Sequence, residues 1–178
     1  MKALLIVSVV VFLLLPLLHR AGFRVNPTPS LPQGIYRIVP GAPERGDLVA
    51  FCLESPWAAL ARERGYLGSG SCPSGLRPLL KYLAGLPGDA VTVTLDGIQV
   101  EPVSGSASVW PAPVRREDSM GRSLPESSLR AGMIPDGMAL ALSGHPGSFD
   151  SRFFGLVPLA GMVRVEPVCT FEASTMEE

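Results

Sequence analysis

Apolar and polar residues alternate over short stretches of this chain, with the two-residue period of β-strands. The clearest stretch covers residues 91–100, VTVTLDGIQV, in which valine and leucine alternate with threonine before an Asp96-Gly97 turn. Aspartate followed by glycine favours the tight turns that join antiparallel strands, and apolar positions resume after it. The pattern therefore predicts a β-hairpin here.

Further strands are predicted where short apolar runs end in residues that favour turns. These runs cover residues 34–39, 48–51, 138–142 and 161–165. Apolar groups at helical spacing occur in residues 57–67, WAALARERGYL, and Gly68 follows them. The chain also contains 19 glycines and 18 prolines, which interrupt it too often for long helices. We expect a mainly β domain with one short helix.

The first residues follow another pattern, because residues 3–18 are apolar or uncharged without interruption. This run is slightly short for a spanning helix and also fits the apolar core of a signal peptide, but no small-x-small cleavage site follows it. We therefore predict a retained membrane helix over residues 1–20, ahead of one β-rich domain over residues 21–178. Within that domain, residues 101–131 lack any period and are rich in Ser, Pro and Arg, which predicts a long loop or flap.

The charge balance argues against one class of partner. Charged residues make up 17% of the chain and the formal net charge is -1, so no basic field would concentrate nucleic acid. We expect no nucleic-acid partner.

Three cysteines, Cys52, Cys72 and Cys169, are present without a CxxC pair and with two histidines, so a zinc site is poorly supported and we expect no metal. A disulfide between Cys52 and Cys72 is the better use of two of them. It would enclose about 20 residues, stabilise by roughly 3 kcal/mol and indicate an oxidising compartment. Three buried reduced thiols are the alternative, and Cys169 has no assigned partner in either case.

Four segments carry a resemblance to a known family: TPSLPQGIY from residue 28, ERGDLVAF from 44, LLKYLAGLPGDAV from 79 and SFDSRFFGLVP from 148. In this order, after an apolar N-terminus, they resemble the sequence blocks of type I signal peptidases. The forms NPTPSLPQGIY and CPSGLRPLLK are most similar to the TraF-type conjugative-transfer peptidases. The resemblance implies a signal-peptidase-like β domain and a Ser/Lys serine peptidase.

The resemblance implies that Ser30 is the nucleophile and Lys81 the general base. A serine hydroxyl is a poor nucleophile at neutral pH and needs a base within hydrogen-bond reach, here a deprotonated amine. Leucines and a tyrosine surround Lys81 in the sequence, so its pKa should be lowered by desolvation. To bring a lysine near pH 7, burial must disfavour the charged form by about 4 kcal/mol.

Four further residues have roles that the resemblance implies. Ser148 corresponds to a serine that orients the lysine amine, Thr28 to the oxyanion-hole hydroxyl, and Asp150 with Arg152 to an ion pair that braces the site. His145 near these residues leaves a Ser30/His145/Asp150 triad open as an alternative to the dyad. No cofactor is expected.

The resemblance also implies a substrate class and a location. TraF-type enzymes mature a pilin subunit, and the acyl-enzyme can be intercepted by water or by the pilin's own amine. We expect an enzyme of the inner membrane with its catalytic domain on the periplasmic side, acting on a precursor protein. A non-catalytic assembly factor that keeps the peptidase fold is the alternative. An acyltransferase of the Ser-x-x-Lys type is excluded, because the chain contains no such sequence.

Overall fold

The computed structural model describes residue 12 and residues 14–171 of the 178-residue chain, and most of this part is antiparallel β-structure. The strands of this part, in chain order, are β1 (Phe23–Asn26), β2 (Gln33–Ile38), β3 (Leu48–Phe51), β4 (Leu79–Gly85), β5 (Ala90–Val93), β6 (Gly97–Glu101), β7 (Ser108–Pro111), β8 (Gly132–Met133), β9 (Met138–Leu142), β10 (Val157–Pro158) and β11 (Val163–Phe171). Two short helices, α1 (Trp57–Glu63) and α2 (Ser151–Phe154), accompany them, and residues 14–20 are also helical. The prediction of a mainly β domain is confirmed.

The strands form two antiparallel sheets. The larger sheet has seven strands in the order β1-β2-β11-β3-β4-β9-β10, and the smaller has four in the order β7-β6-β5-β8. In the larger sheet β4 lies between β3 and β9, so both of its edges are paired and its side chains are almost entirely enclosed. This central strand carries Lys81.

Apolar side chains from both sheets fill two main cores. The first packs helices α1 and α2 against the larger sheet, with Trp57, Phe51 and Phe154 among its members. The second joins the two sheets through residues such as Ile98 and Leu140, both fully buried. The two cores hold the two sheets and both helices in one domain.

The predicted hairpin over residues 91–100 is present. Strands β5 and β6 pair from Ala90 opposite Glu101 to Val93 opposite Ile98. Gly97 has φ +153, and a Cβ there would overlap the Trp110 carbonyl oxygen of the neighbouring strand. Glycine is therefore required at this position both by the backbone conformation and by the close approach of β7.

Several predicted bounds differ from those of the structure. The helix predicted to reach residue 67 ends at Glu63, because the chain turns at Gly65, which has φ +71. The strand predicted over residues 161–165 runs to Phe171, since a bulge after Pro167 accommodates the missing N–H of proline. The predicted loop over residues 101–131 contains strand β7, which pairs with β6.

The predicted membrane helix over residues 1–20 lies largely outside the described residues. Of this segment, residue 12 and residues 14–20 are helical and exposed. Within residue 12 and residues 14–171, no helix combines the length and the apolar character that crossing a bilayer would require. The anchor stays a prediction.

Candidate active site

Ser30 lies half-buried in the loop that joins β1 to β2. Pro27, Pro29 and Pro32 remove three amide donors from this loop, so its carbonyl groups need partners from elsewhere. Side chains supply them: the Gln33 amide donates to the Pro27 carbonyl at 2.6 Å, and other side chains reach further along the loop. The loop is thus held by side-chain hydrogen bonds in a bent path, with turns and bends over residues 28–31.

Asn26, at the end of β1, supplies three of these bonds, more than any other side chain, and it was not among the residues predicted from the sequence. It is only 6% exposed. Its Nδ2 donates to the carbonyls of Thr28, Leu31 and Pro32 at 3.1, 3.3 and 3.2 Å. Its Oδ1 accepts from the Thr28 amide at 3.2 Å and from the Thr28 hydroxyl at 2.7 Å.

Lys81 approaches Ser30 from strand β4. Its Nζ donates to Ser30 Oγ at 3.0 Å, and the side chain is 3% exposed. No salt bridge within residues 14–171 includes Lys81. Burial lowers the pKa of the amine from 10.5 to about 8, while Asp150 acts to raise it and Arg152 to lower it. The structure therefore brings together the hydroxyl of half-buried Ser30 and the Lys81 amine, which releases its proton easily.

Asp150 and Arg152 form a buried ion pair, with 2.6 Å between Asp150 Oδ2 and Arg152 Nη1. Both residues are fully buried. Asp150 caps helix α2 by accepting the Arg152 amide at 3.1 Å. The guanidinium also donates to the carbonyls of Ser143 and Pro111, each at 2.8 Å. The pair thus ties α2 to the end of β9 and to β7, and it does not touch Ser30.

Ser143 connects this ion pair to the loop that carries Ser30, and it was not among the residues predicted from the sequence. Its amide donates to Asp150 Oδ2 at 3.1 Å, and its hydroxyl donates to the Ser30 carbonyl oxygen. The same hydroxyl accepts from the His145 amide at 3.1 Å. A fully buried serine just after a buried strand was the available signal, since buried hydroxyls are almost always hydrogen-bonded.

Ser148 and Thr28 lie near Ser30 and Lys81, and they differ in their hydrogen bonds. The Ser148 hydroxyl is buried and has no hydrogen-bond partner among the described residues, so the expected bond to Lys81 is not formed in this structure. Thr28 Oγ1 lies 3.4 Å from Ser30 Oγ. The Ser30 amide donates to no backbone carbonyl of residues 14–171, which leaves it available to a substrate oxygen.

The alternative triad is not assembled. His145 is exposed, and its Nδ1 accepts from the Gly147 amide at 3.0 Å. Asp150 is occupied by Arg152 and by the Ser143 amide, and no hydrogen bond between the described atoms joins it to His145. A histidine base needs its second nitrogen oriented by a carboxylate, which this arrangement does not provide.

A cavity of about 200 Å³ opens beside Ser30 and Lys81. Its apolar lining includes Leu67, Leu79, Leu124, Phe149 and Phe153. Polar lining comes in part from Glu117, Asp118 and Ser119, in the segment predicted as a loop or flap. The cavity offers an apolar side chain a place next to Ser30.

Residues 116–124 form a short hairpin beside the cavity, in which the Leu124 amide donates to the Arg116 carbonyl at 2.7 Å. Asp118 fixes it, because the carboxylate accepts from Arg122 at 2.7 Å and from the Tyr66 hydroxyl at 2.5 Å. Tyr66 follows helix α1, so the hairpin is attached to the helical side of the cleft.

Cys52 and Cys72 form a disulfide, with 5.5 Å between their Cα atoms, as predicted. Cys169 is exposed and free. Among the residues that the structure describes, no group of three or more His, Cys, Asp or Glu side chains could hold a metal ion.

The sequence matches a family described as signal peptidase, peptidase S26, over residues 1–169. The chain belongs to this family. The type I signal peptidase resemblance read from the four sequence segments is thereby confirmed, and S26 membership suggests a serine peptidase.

Proteins similar to this chain carry names from conjugation. A conjugal transfer protein TraF of Agrobacterium fabrum is 38% identical over 159 residues, which cover 85% of this chain and 84% of the relative. A plasmid transfer protein TraF of Escherichia coli is 34% identical over 158 residues, covering 86% of this chain and 85% of the relative. Among solved structures, a signal peptidase I of Enterococcus faecalis is 26% identical and covers 74% of this chain and 100% of that chain, with a TM-score of 0.37.

Proposed function

We propose that the protein is a membrane-anchored serine endopeptidase in which Ser30 is the nucleophile and Lys81 the general base. One observation carries the proposal: an amine that is 3% exposed and forms no salt bridge within residues 14–171 lies 3.0 Å from a serine hydroxyl at the edge of a cavity. A buried amine without a counterion is disfavoured as an ammonium, so it is well suited to accept a proton.

The reaction follows from this geometry. Neutral Lys81 takes the proton of the Ser30 hydroxyl as Oγ bonds to the substrate carbonyl carbon, and the carbonyl electron pair moves onto oxygen. The Ser30 amide and the Thr28 hydroxyl are donors for that oxyanion. When the tetrahedral intermediate collapses, the C–N bond breaks and protonated Lys81 gives its proton to the leaving amine. Water, or an amine of the substrate itself, then attacks the acyl-enzyme with Lys81 again as base.

For the substrate, we propose a precursor of a secreted, pilin-like subunit. The relatives named conjugal transfer protein TraF and plasmid transfer protein TraF support this class. The proposed location is the inner membrane with the domain on the periplasmic side, which agrees with a Cys52–Cys72 disulfide. Attack by water gives a linear product, whereas attack by the subunit's own amine gives a cyclic product lighter by one water.

The test compares donor cells that carry the wild type, Ser30→Ala or Lys81→Ala, with mass spectrometry of the subunit and counts of conjugative transfer. Both variants should accumulate the unprocessed subunit. Ser119→Ala is the matched control, because this serine also lines the cavity but lies on the hairpin. If Ser30→Ala supported normal transfer with a normally sized subunit, the protein would be a non-catalytic assembly factor.

The pH dependence gives a second readout of the same proposal. Cleavage should rise with pH through an apparent pKa of about 8, because only the neutral amine can accept the serine proton. A rate that falls through this range would exclude Lys81 as the base.

A further inference from the structure

The nucleophile loop depends on one side chain that neither attacks nor transfers a proton. Because prolines occupy positions 27, 29 and 32, the loop between β1 and β2 is poor in amide donors. Asn26 compensates by donating to three of its carbonyls and by accepting two hydrogen bonds from Thr28. A single buried amide therefore holds both sides of Ser30.

The orientation of the Asn26 amide is determined by its neighbours. The Thr28 backbone N–H can only donate, so the atom that faces it at 3.2 Å must be the oxygen. The three carbonyl groups on the other side can only accept, so they must face the nitrogen. Both requirements agree, and no other assignment satisfies the contacts.

This orientation also fixes the proton of the Thr28 hydroxyl. Asn26 Oδ1 has no hydrogen, so the bond of 2.7 Å between it and Thr28 Oγ1 must use the threonine proton. Thr28 Oγ1 is thereby held 3.4 Å from Ser30 Oγ, and of these two hydroxyls only that of Ser30 has a proton left for the contact. To donate to a developing oxyanion, the Thr28 hydroxyl rotates about its Cβ–Oγ1 bond and exchanges its bond to Asn26 Oδ1 for one to the oxyanion.

We propose that Asn26 is a positioning residue of the peptidase reaction, which holds the Ser30 loop and presents the Thr28 hydroxyl for transition-state stabilisation. The inference rests on the proposed function, since it requires that Ser30 be acylated. Displacement of reacting groups by about 1 Å can cost about 10²-fold in rate, so loss of the amide should have a comparable effect.

The experiment uses p-nitrophenyl acetate, an activated ester that acylates activated serines whatever the natural substrate is. The full-length protein in detergent is mixed with the ester, acylation of Ser30 is followed by p-nitrophenol release and mass spectrometry, and the rate is measured against pH. Ser30→Ala supplies the background. If the wild type does not exceed this background, the proposed function fails and the inference fails with it.

Asn26→Ala should lower the plateau of the pH–rate profile by about 10²-fold without moving its midpoint, which we expect near pH 8. The midpoint separates positioning from general loosening. A loosened domain would let water reach Lys81, so the pKa would return towards 10.5 and the midpoint would move to higher pH. An unchanged plateau would overturn the inference, and so would a loss that is explained by a shifted midpoint.

Two further variants complete the test. Asn26→Asp has the same shape but no amide donors, so it should also have a lowered plateau; a folded Asn26→Asp protein with the wild-type plateau would overturn the inference. Tyr36→Phe is the matched control, because it removes one hydrogen bond of 2.6 Å to the Pro32 carbonyl of the same loop without touching Thr28. It should retain most of the plateau, and an equal loss in Tyr36→Phe would show that any loop bond has the same effect and contradict the special role of Asn26.

Discussion

The middle of strand β4 and the start of helix α2 each bury a basic side chain. Within the described part of the chain, only the one in α2 has a carboxylate partner. Arg152 in α2 is fully buried and is paired with Asp150 at 2.6 Å. Lys81 in β4 is 3% exposed, and none of the salt bridges between described residues includes it. A compensated guanidinium keeps its charge and braces the structure, whereas an uncompensated amine tends to lose its proton.

The two regions are also connected in a way that preserves this difference. Asp150 acts to raise the pKa of Lys81 and Arg152 acts to lower it, so the pair has opposing effects on the amine. Burial then remains as the largest influence on Lys81. An aspartate at this place without its arginine would supply a counterion to Lys81, which the proposed general base must not have.

The largest effect is expected on cleavage when Lys81 or its partner Ser30 is replaced. Ser30→Ala, Lys81→Ala and Lys81→Arg should each reduce cleavage by about 10⁴-fold or more, because a serine without a base and a base without a nucleophile are equally inactive. Lys81→Arg fails since a guanidinium stays protonated at working pH. The Ser30→Ala/Lys81→Ala double variant should be no worse than either single one in the same cleavage assay. Additive losses would contradict a dyad that acts as one unit.

Changes to the Asp150–Arg152 ion pair should lower the stability of the protein. Asp150→Asn leaves the Arg152 charge buried without its carboxylate, so the free energy of unfolding should fall by about 3–5 kcal/mol in urea denaturation. The control is Glu126→Gln, which breaks an exposed pair with Arg130 and should cost less than about 1 kcal/mol. Similar losses in both variants would mean that burial does not matter to the Asp150–Arg152 pair.

Removing the unpaired charge of Lys81 should instead raise the free energy of unfolding. The folded-state pKa of Lys81 is about 8 against an ordinary 10.5, so below pH 8 the charged amine weakens folding by about 3 kcal/mol. Lys81→Met should therefore be more stable than the wild type at pH 7. Between about pH 8 and 10.5 the unfolded wild type binds more protons, so its stability rises with pH and the difference should shrink. Denaturation of both proteins at pH 7 and pH 10 measures this, and a destabilised Lys81→Met would show that the charge is compensated after all.

The smallest effect is expected at His145, which belongs to neither charged group. His145→Ala should keep substantial cleavage activity, and its free energy of unfolding should change by no more than about 0.5 kcal/mol, as for most exposed positions. A cleavage assay beside Lys81→Ala is decisive: an inactive His145→Ala together with an active Lys81→Ala would replace the dyad by a triad.

The parts of the fold that the sequence predicted are those whose signals lie within a few neighbouring residues. The 91–100 hairpin was recognisable because alternation and turn chemistry agree within ten residues. Strand β4 was not predicted as a strand, since it is enclosed by β3 and β9 and carries a lysine in a run of mixed residues. A buried central strand lacks the alternation that an exposed face creates.

The candidate site likewise has residues that were predicted and residues that were missed. The proximity of Ser30 and Lys81, 51 residues apart, came from the resemblance to a family and could not have come from their spacing. Ser143 was missed because its hydrogen bond to the Ser30 carbonyl spans 113 residues, which only the tertiary structure brings near. Asn26 was missed although its bonds are local, because they satisfy an irregular loop that no periodic pattern predicts. A count of amide donors in the proline-rich loop would have indicated that some side chain must supply them.

The Cys52–Cys72 disulfide has a consequence for when the cleft takes its final form. It joins the residue after β3 to the far end of the segment that contains helix α1, and Tyr66 and Leu67 of this segment line the cavity. In a reducing solvent this covalent link would be lost, and the segment would be held by packing and by polar contacts such as the hydrogen bond from Tyr66 to Asp118. The redox potential of the surroundings is thus a structural parameter of the cleft.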